Sequence, residues 1–141
     1  MNFFSSSPRA KCLQWWVTGV YAAFLLVVSV LPGSNLPSIP DWNLLFAPDK
    51  VAHFGAYGVF ALLLSAALTG SRIKRVIPAA VFVAALFGVL MEILQSVSGT
   101  GRQFDVVDMV ANLIGAVLGG TIYYFLLKLN LNASTTVEDK K

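Results

Sequence analysis

The sequence predicts an all-α, integral membrane four-helix bundle with both termini cytoplasmic. Three observations carry that expectation: the composition, the number of apolar stretches long enough to cross a bilayer, and the side on which lysine and arginine collect. Hydrophobic residues make up 57% of the 141 positions and charged residues 12%, with a mean hydropathy of +0.74. Soluble domains carry about twice that share of charge. The formal charge of +3 does not point to nucleic acid, because the basic residues are dispersed among short loops without aromatic or motif context. A single cysteine, Cys12, excludes an internal disulfide framework and any multi-cysteine metal site.

A spanning helix needs about 20 mostly apolar residues. The first candidate runs from Leu13 to Leu31, behind a short cytoplasmic segment, 1–12, that holds Arg9 and Lys11. Its apolar run is too long for a secretory signal, and only Leu31-Pro32-Gly33-Ser34 follows it, so it reads as an uncleaved anchor. The second runs from Val51 to Thr69, the third from Val76 to Val97 and the fourth from Val106 to Leu129, which makes 13–129 one membrane domain. Between the first two lies the proline-rich stretch Pro32 to Pro48, whose Ile39, Trp42, Leu44, Leu45 and Phe46 suit the membrane interface. The tail, 130–141, is polar, mixed in charge and free of periodicity, which predicts disorder.

Positive residues are retained in the cytoplasm. Arg9 and Lys11, then Arg72, Lys74 and Arg75, then Lys128, Lys140 and Lys141 all fall on one side of a four-span chain. The opposite, outer side receives the 32–48 stretch and the short turn from Ser98 to Phe104, in which Arg102 is the only basic residue.

At that outer end the polar residues gather. Ionisable groups at membrane depth cost roughly 2.5 to 3.5 kcal/mol each on insertion scales, so a group of them implies a pocket. Asp49, His53 and Tyr57 stand four residues apart and share a helix face. Asp105, Asp108 and Asn112 form a second stripe that continues into Gly115 and Gly119, and Gly88, Glu92 and Gln95 form a third. At 1.5 Å per residue, His53, Glu92 and Asp108 fall in one layer about 4 to 8 Å below the helix ends. Asp49, Gln95, Arg102 and Asp105 are expected at the mouth, and Tyr57 and Asn112 at the floor.

Structural roles compete at several positions. Asp49 and Asp105 can cap their helices, Arg102 can pair with either of them, and Asn112 can bond between helices. Gly115 and Gly119, a G-x-x-x-G pair, are read as packing residues. His53, Glu92 and Asp108 lie away from helix ends, where neither capping nor snorkelling accounts for them. A histidine beside carboxylates favours its protonated form and can hold or donate a proton. The same three residues also suit a hard or borderline divalent metal ion, so cofactor and metal stay open at this stage. There is no H-E-x-x-H, G-x-S-x-G or Walker loop.

The string Asp49-Lys50-x-x-His53-Phe54-x-x-Tyr57, then Glu92-x-x-Gln95, then Arg102-x-x-Asp105-x-x-Asp108-x-x-x-Asn112-x-x-Gly115-x-x-x-Gly119 resembles the VanZ-like family of small membrane proteins. The resemblance covers about half the chain. It implies a multi-pass protein of the bacterial cytoplasmic (inner) membrane, with a link to glycopeptide (teicoplanin) resistance in the founding branch.

Three functions follow as expectations. The first is an enzyme acting from the outer face on an anionic lipid or lipid-linked envelope precursor. In it His53 is general acid or base, Glu92 or Asp108 orients it, Gln95 and Asn112 hold substrate oxygens, and Lys50 and Arg102 guide the anion. The second is binding of such a ligand, or of an antibiotic, without turnover. The third is proton-coupled transport, for which four spans would require a homo-oligomer.

Overall fold

The structure, a computed structural model, describes residues 7–31, 48–99 and 104–138. The described residues form four helices and no strand: α1 (Pro8–Val30), α2 (Pro48–Leu68), α3 (Val76–Val97) and α4 (Val106–Glu138). All four are long and apolar enough to cross a membrane, the span in α4 being Val106–Asn130. The fold class is therefore the one expected from composition and apolar run length.

Local chemistry sets the helix ends. Pro8 occupies the first turn of α1, where its missing N–H costs nothing, and the Ser7 hydroxyl accepts from the Ala10 amide at 3.3 Å. The helix therefore begins five residues before Leu13, since capping takes in the basic residues that an apolar count leaves out. For the same reason α2 begins at Pro48, which brings Asp49 and Lys50 into its first turn. After α2 the chain reverses at Gly70, and after α3 it reverses at Gly99. Both glycines have positive φ (80° and 68°), the left-handed conformation that ends helices.

One expectation is corrected at the C-terminal end. The helix does not stop at Leu129 but continues through Glu138, so residues 130–138 are helical where irregular chain was expected. Adding a residue to an existing helix is far easier than nucleating one, and a polar sequence without periodicity can still extend a long helix. The 32–48 stretch, apart from Pro48, lies outside the described residues, and so does the interfacial role expected of it.

The bundle is organised around α2, which packs on α1, α3 and α4. Among the described residues α1 touches α2 and α3 but not α4. Between helices in lipid there is no hydrophobic driving force, so close packing and interhelical hydrogen bonds hold the bundle. α2 and α4 pack most closely. A Cβ at Gly115 would fall on the carbonyl of Phe54, and one at Gly119 on the carbonyl of Gly58. The packing role expected of Gly115 and Gly119 is thus what the backbone shows, with Gly58 as the partner that the sequence did not single out. Tyr21 ties α1 to this pair, its hydroxyl donating to the Ala56 carbonyl at 3.1 Å. Below the polar end, Leu25, Phe60, Ala61, Leu64, Ala84 and Ala116 form an apolar core.

Candidate functional site

Because α2 and α4 run in the same direction and meet at Gly115 and Gly119, their polar first turns lie side by side. The register is regular: Lys50 faces Asp108, His53 faces Asn112, Phe54 faces Gly115 and Gly58 faces Gly119. α3 brings Glu92 against the same layer from the opposite direction.

His53 stands at the centre. Its Nδ1 is 3.1 Å from Asn112 Oδ1 and 3.9 Å from Glu92 Oε1, and its Nε2 is 3.7 Å from Asp108 Oδ2. The imidazole is largely buried and Glu92 is fully so, while Asp108 has 6% of its surface exposed. Each carboxylate turns one oxygen to the ring and has the other engaged. Asp108 Oδ1 accepts from Lys50 Nζ at 3.0 Å, and Glu92 Oε2 accepts from the Asp105 amide at 3.4 Å. One nitrogen of His53 and one oxygen each from Glu92 and Asp108 lie within 4.8 Å of one another. The single layer expected from helical rise is therefore a three-helix cluster.

Asn112 is buried, and the position of its amide ties it to the cluster. Either the imidazole Nδ1–H donates to Oδ1, or the amide is turned and its N–H donates to Nδ1; the choice sets the tautomer of His53. The Nδ2 atom is buried without a hydrogen-bond partner among the described residues. Tyr57, also buried, lies one turn further along α2 with its ring nearly parallel to that of His53 (9°, centroids 6.4 Å apart). Gly88 makes room for both floor residues: a Cβ there would lie 2.9 Å from Asn112 Nδ2 and 3.1 Å from the Tyr57 ring.

At the mouth, the role expected of Lys50 is corrected. Its ammonium donates to Asp105 Oδ2 at 2.9 Å, Asp108 Oδ1 at 3.0 Å and Asp49 Oδ2 at 3.2 Å. All three of its donors are taken by carboxylates, so it serves as their counter-charge and is not free to guide an anion. Arg102, the other expected guide, lies outside the described residues. Asp105 combines two roles, capping α4 through the Val107 amide at 2.7 Å while accepting from Lys50. Those two hydrogen bonds, the one from Lys50 foremost, hold its carboxyl below the usual carboxylate value. Asp49 is half exposed, as a mouth residue would be. Gln95, near the end of α3, is buried, with 2% of its surface exposed. Packing between helices buries it, which position along one helix does not reveal.

Four carboxylates, from Asp49, Glu92, Asp105 and Asp108, share one ammonium and one imidazole among the described residues. The role of Lys50 could have been suspected from Lys50 lying next to Asp49 in a helix whose register with α4 is set by glycines. Nothing in the linear spacing names its partners across helices.

A family model described as VanZ/LLP1 matches residues 3–128, a stretch that contains every residue of this cluster. No curated protein and no solved structure gives a significant match.

Proposed function

Because the chain belongs to the VanZ/LLP1 family, we propose that it is a multi-pass protein of the bacterial cytoplasmic membrane that binds and processes the headgroup of an anionic lipid or lipid-linked envelope precursor. The cluster opens to the outer face in this reading, with both termini in the cytoplasm, and a contribution to glycopeptide tolerance follows where the ligand is a wall precursor. The observation that carries the proposal is the placing of the chain's only histidine between two carboxylates from two other helices, each turning an oxygen to it. Ionisable groups gathered inside a bundle are costly and mark reactive or binding sites by default.

His53, Glu92 and Asp108 form the reactive centre, and Asn112 fixes the ring and offers an amide N–H to a headgroup oxygen. Tyr57 closes the floor. Asp49, Lys50 and Asp105 form the charged rim, with Arg102 as the expected anion contact there and Gln95 as a polar wall. Transport is the weaker reading, because the buried polar side chains beyond the cluster among the described residues, Gln14, Thr18, Ser29 and Ser65, include no carboxylate or imidazole to carry a proton onward. Binding without turnover is favoured by one feature, the three carboxylates held by Lys50, since structural ion-pair networks take this form too.

Purified protein in nanodiscs, incubated with lipid extract from a strain lacking it, separates the two. Processing predicts a new lipid species that the His53→Ala protein does not make. A ligand retained by wild type, with no product under any condition, would replace processing with binding.

A further inference from the structure

We propose that His53, Glu92 and Asp108 hold a divalent metal ion, and that the ion is what receives a phosphate-bearing anion in this pocket. The ligand class rests on the function proposed above; the ion itself rests on the geometry. The three residues come from three helices, and their ligand atoms lie within 4.8 Å of one another. Ligands of one ion at about 2.1 Å stand roughly 3.0 to 3.4 Å apart, so small side-chain rotations close the set. One nitrogen and two carboxylate oxygens suit a hard or borderline cation such as manganese, iron or zinc.

Asn112 supplies an independent observation. A metal-bound histidine characteristically donates its other N–H to a neighbouring oxygen, which fixes the tautomer. Here His53 Nδ1 lies 3.1 Å from Asn112 Oδ1, and with the proton on Nδ1 the lone pair of Nε2 faces Asp108 Oδ2 at 3.7 Å. Two lone pairs set toward each other repel unless a cation, either a proton or a metal ion, joins them. The same arrangement leaves the Asn112 Nδ2 donor, 1% exposed and beside Gly88, with no hydrogen-bond partner among the described residues.

Charge points the same way. Among the described residues the four carboxylates outnumber the cationic groups, and Lys50 is committed to three of them. A divalent ion reverses the local sign at the atoms where the headgroup must bind. Manganese is the useful probe, because it is paramagnetic and avoids the exposed thiol of Cys12.

The test uses the full chain, free of any polyhistidine tag, in phosphatidylglycerol nanodiscs titrated with Mn²⁺. The expected result is one bound ion per chain whose electron spin-echo envelope modulation carries an imidazole nitrogen signature that changes on 15N-histidine labelling. The chain has a single histidine, so that signature identifies His53 in the wild-type protein, whatever the variants do. Glu92→Gln and Asp108→Asn should each weaken Mn²⁺ binding at least tenfold, and Cys12→Ser should leave it unchanged. Enhanced 31P relaxation from the bound ion should appear either in the phosphatidylglycerol headgroups or in added inorganic phosphate, which tells a lipid ligand from a soluble one. Absence of the imidazole signature overturns the site, and absence of both 31P effects overturns the ligand class. A His53-dependent change in cellular lipids without bound Mn²⁺ would remove the ion and keep the processing function; bound Mn²⁺ without any lipid change would do the reverse.

Discussion

His53 Nδ1 and Asn112 Oδ1 lie 3.1 Å apart across the α2–α4 interface. That contact exists because the two helices approach backbone to backbone one turn further on, where Gly115 meets Phe54 and Gly119 meets Gly58. Site and packing are therefore one structure, and substitutions at the glycines should be felt at the histidine.

Gly119→Ala puts a methyl group on the Gly58 carbonyl and should cost about 1–3 kcal/mol, the usual range for overpacking. Gly115→Ala should do the same through Phe54. Gly19 and Gly55 have nothing within 4 Å of an added Cβ, so alanine there should be neutral or favourable by up to about 1 kcal/mol. Denaturation in mixed micelles would compare the four variants, and equal losses at all of them would contradict the packing account.

Lys50→Met takes the shared counter-charge from three carboxylates, and Asp108, the most buried of them, keeps only the His53 ring beside it. Breaking a buried pair typically costs about 3–5 kcal/mol. Pairing Lys50→Met with Asp108→Asn should recover part of the loss, a coupling that a double-mutant cycle measures. Additive effects would mean that the Lys50–Asp108 contact does not matter energetically.

The fold was legible where one helix could be read alone. α3 runs from Val76 to Val97 and α4 starts at Val106, as the apolar runs indicate, since those boundaries coincide with a change from apolar to polar residues. The start of α1 was hidden because its first turn is polar, whereas Asp49 was already legible at the start of α2, and the helical extension to Glu138 was hidden because polar composition does not by itself stop a helix. Within the site, four-residue spacing correctly grouped His53 with Tyr57, and Asp108 with Asn112. What a linear pattern lacks is the register between helices. That register hands Lys50 to three carboxylates and buries Gln95, and it depends on how deeply two glycines let α4 settle on α2.

The carboxyl of Asp105, at the mouth and ahead of the α4 span, titrates below its ordinary value of 3.8 because Lys50 and the Val107 amide bond its charged form. A group whose value is lowered in the folded state stabilises fully above the unfolded value, and that contribution is lost as pH falls through the folded value. Stability should therefore be insensitive to this group at neutral pH and decline below about pH 4. Asp105→Asn should flatten the decline, and added salt should weaken it, since the side chain is 40% exposed. An acid limb unchanged by Asp105→Asn would show that other groups set it.

The proposed topology, four crossings with cytoplasmic termini, would place residue 40 outside. In a Cys12→Ser background, Pro40→Cys should react with a membrane-impermeant maleimide in intact spheroplasts. Labelling only after the membrane is broken would invert the topology and put the His53 cluster at the cytoplasmic face.

Whether the cluster around His53 acts on an envelope lipid or its precursor is decided by mass-spectrometric profiling of lipids and lipid-linked wall precursors in a deletion strain. The strain would be complemented with wild type or with His53→Ala at matched membrane abundance. The expected result is a species that changes on deletion, returns with wild type and does not return with His53→Ala. Identical profiles in all strains, or full restoration by His53→Ala, would contradict it.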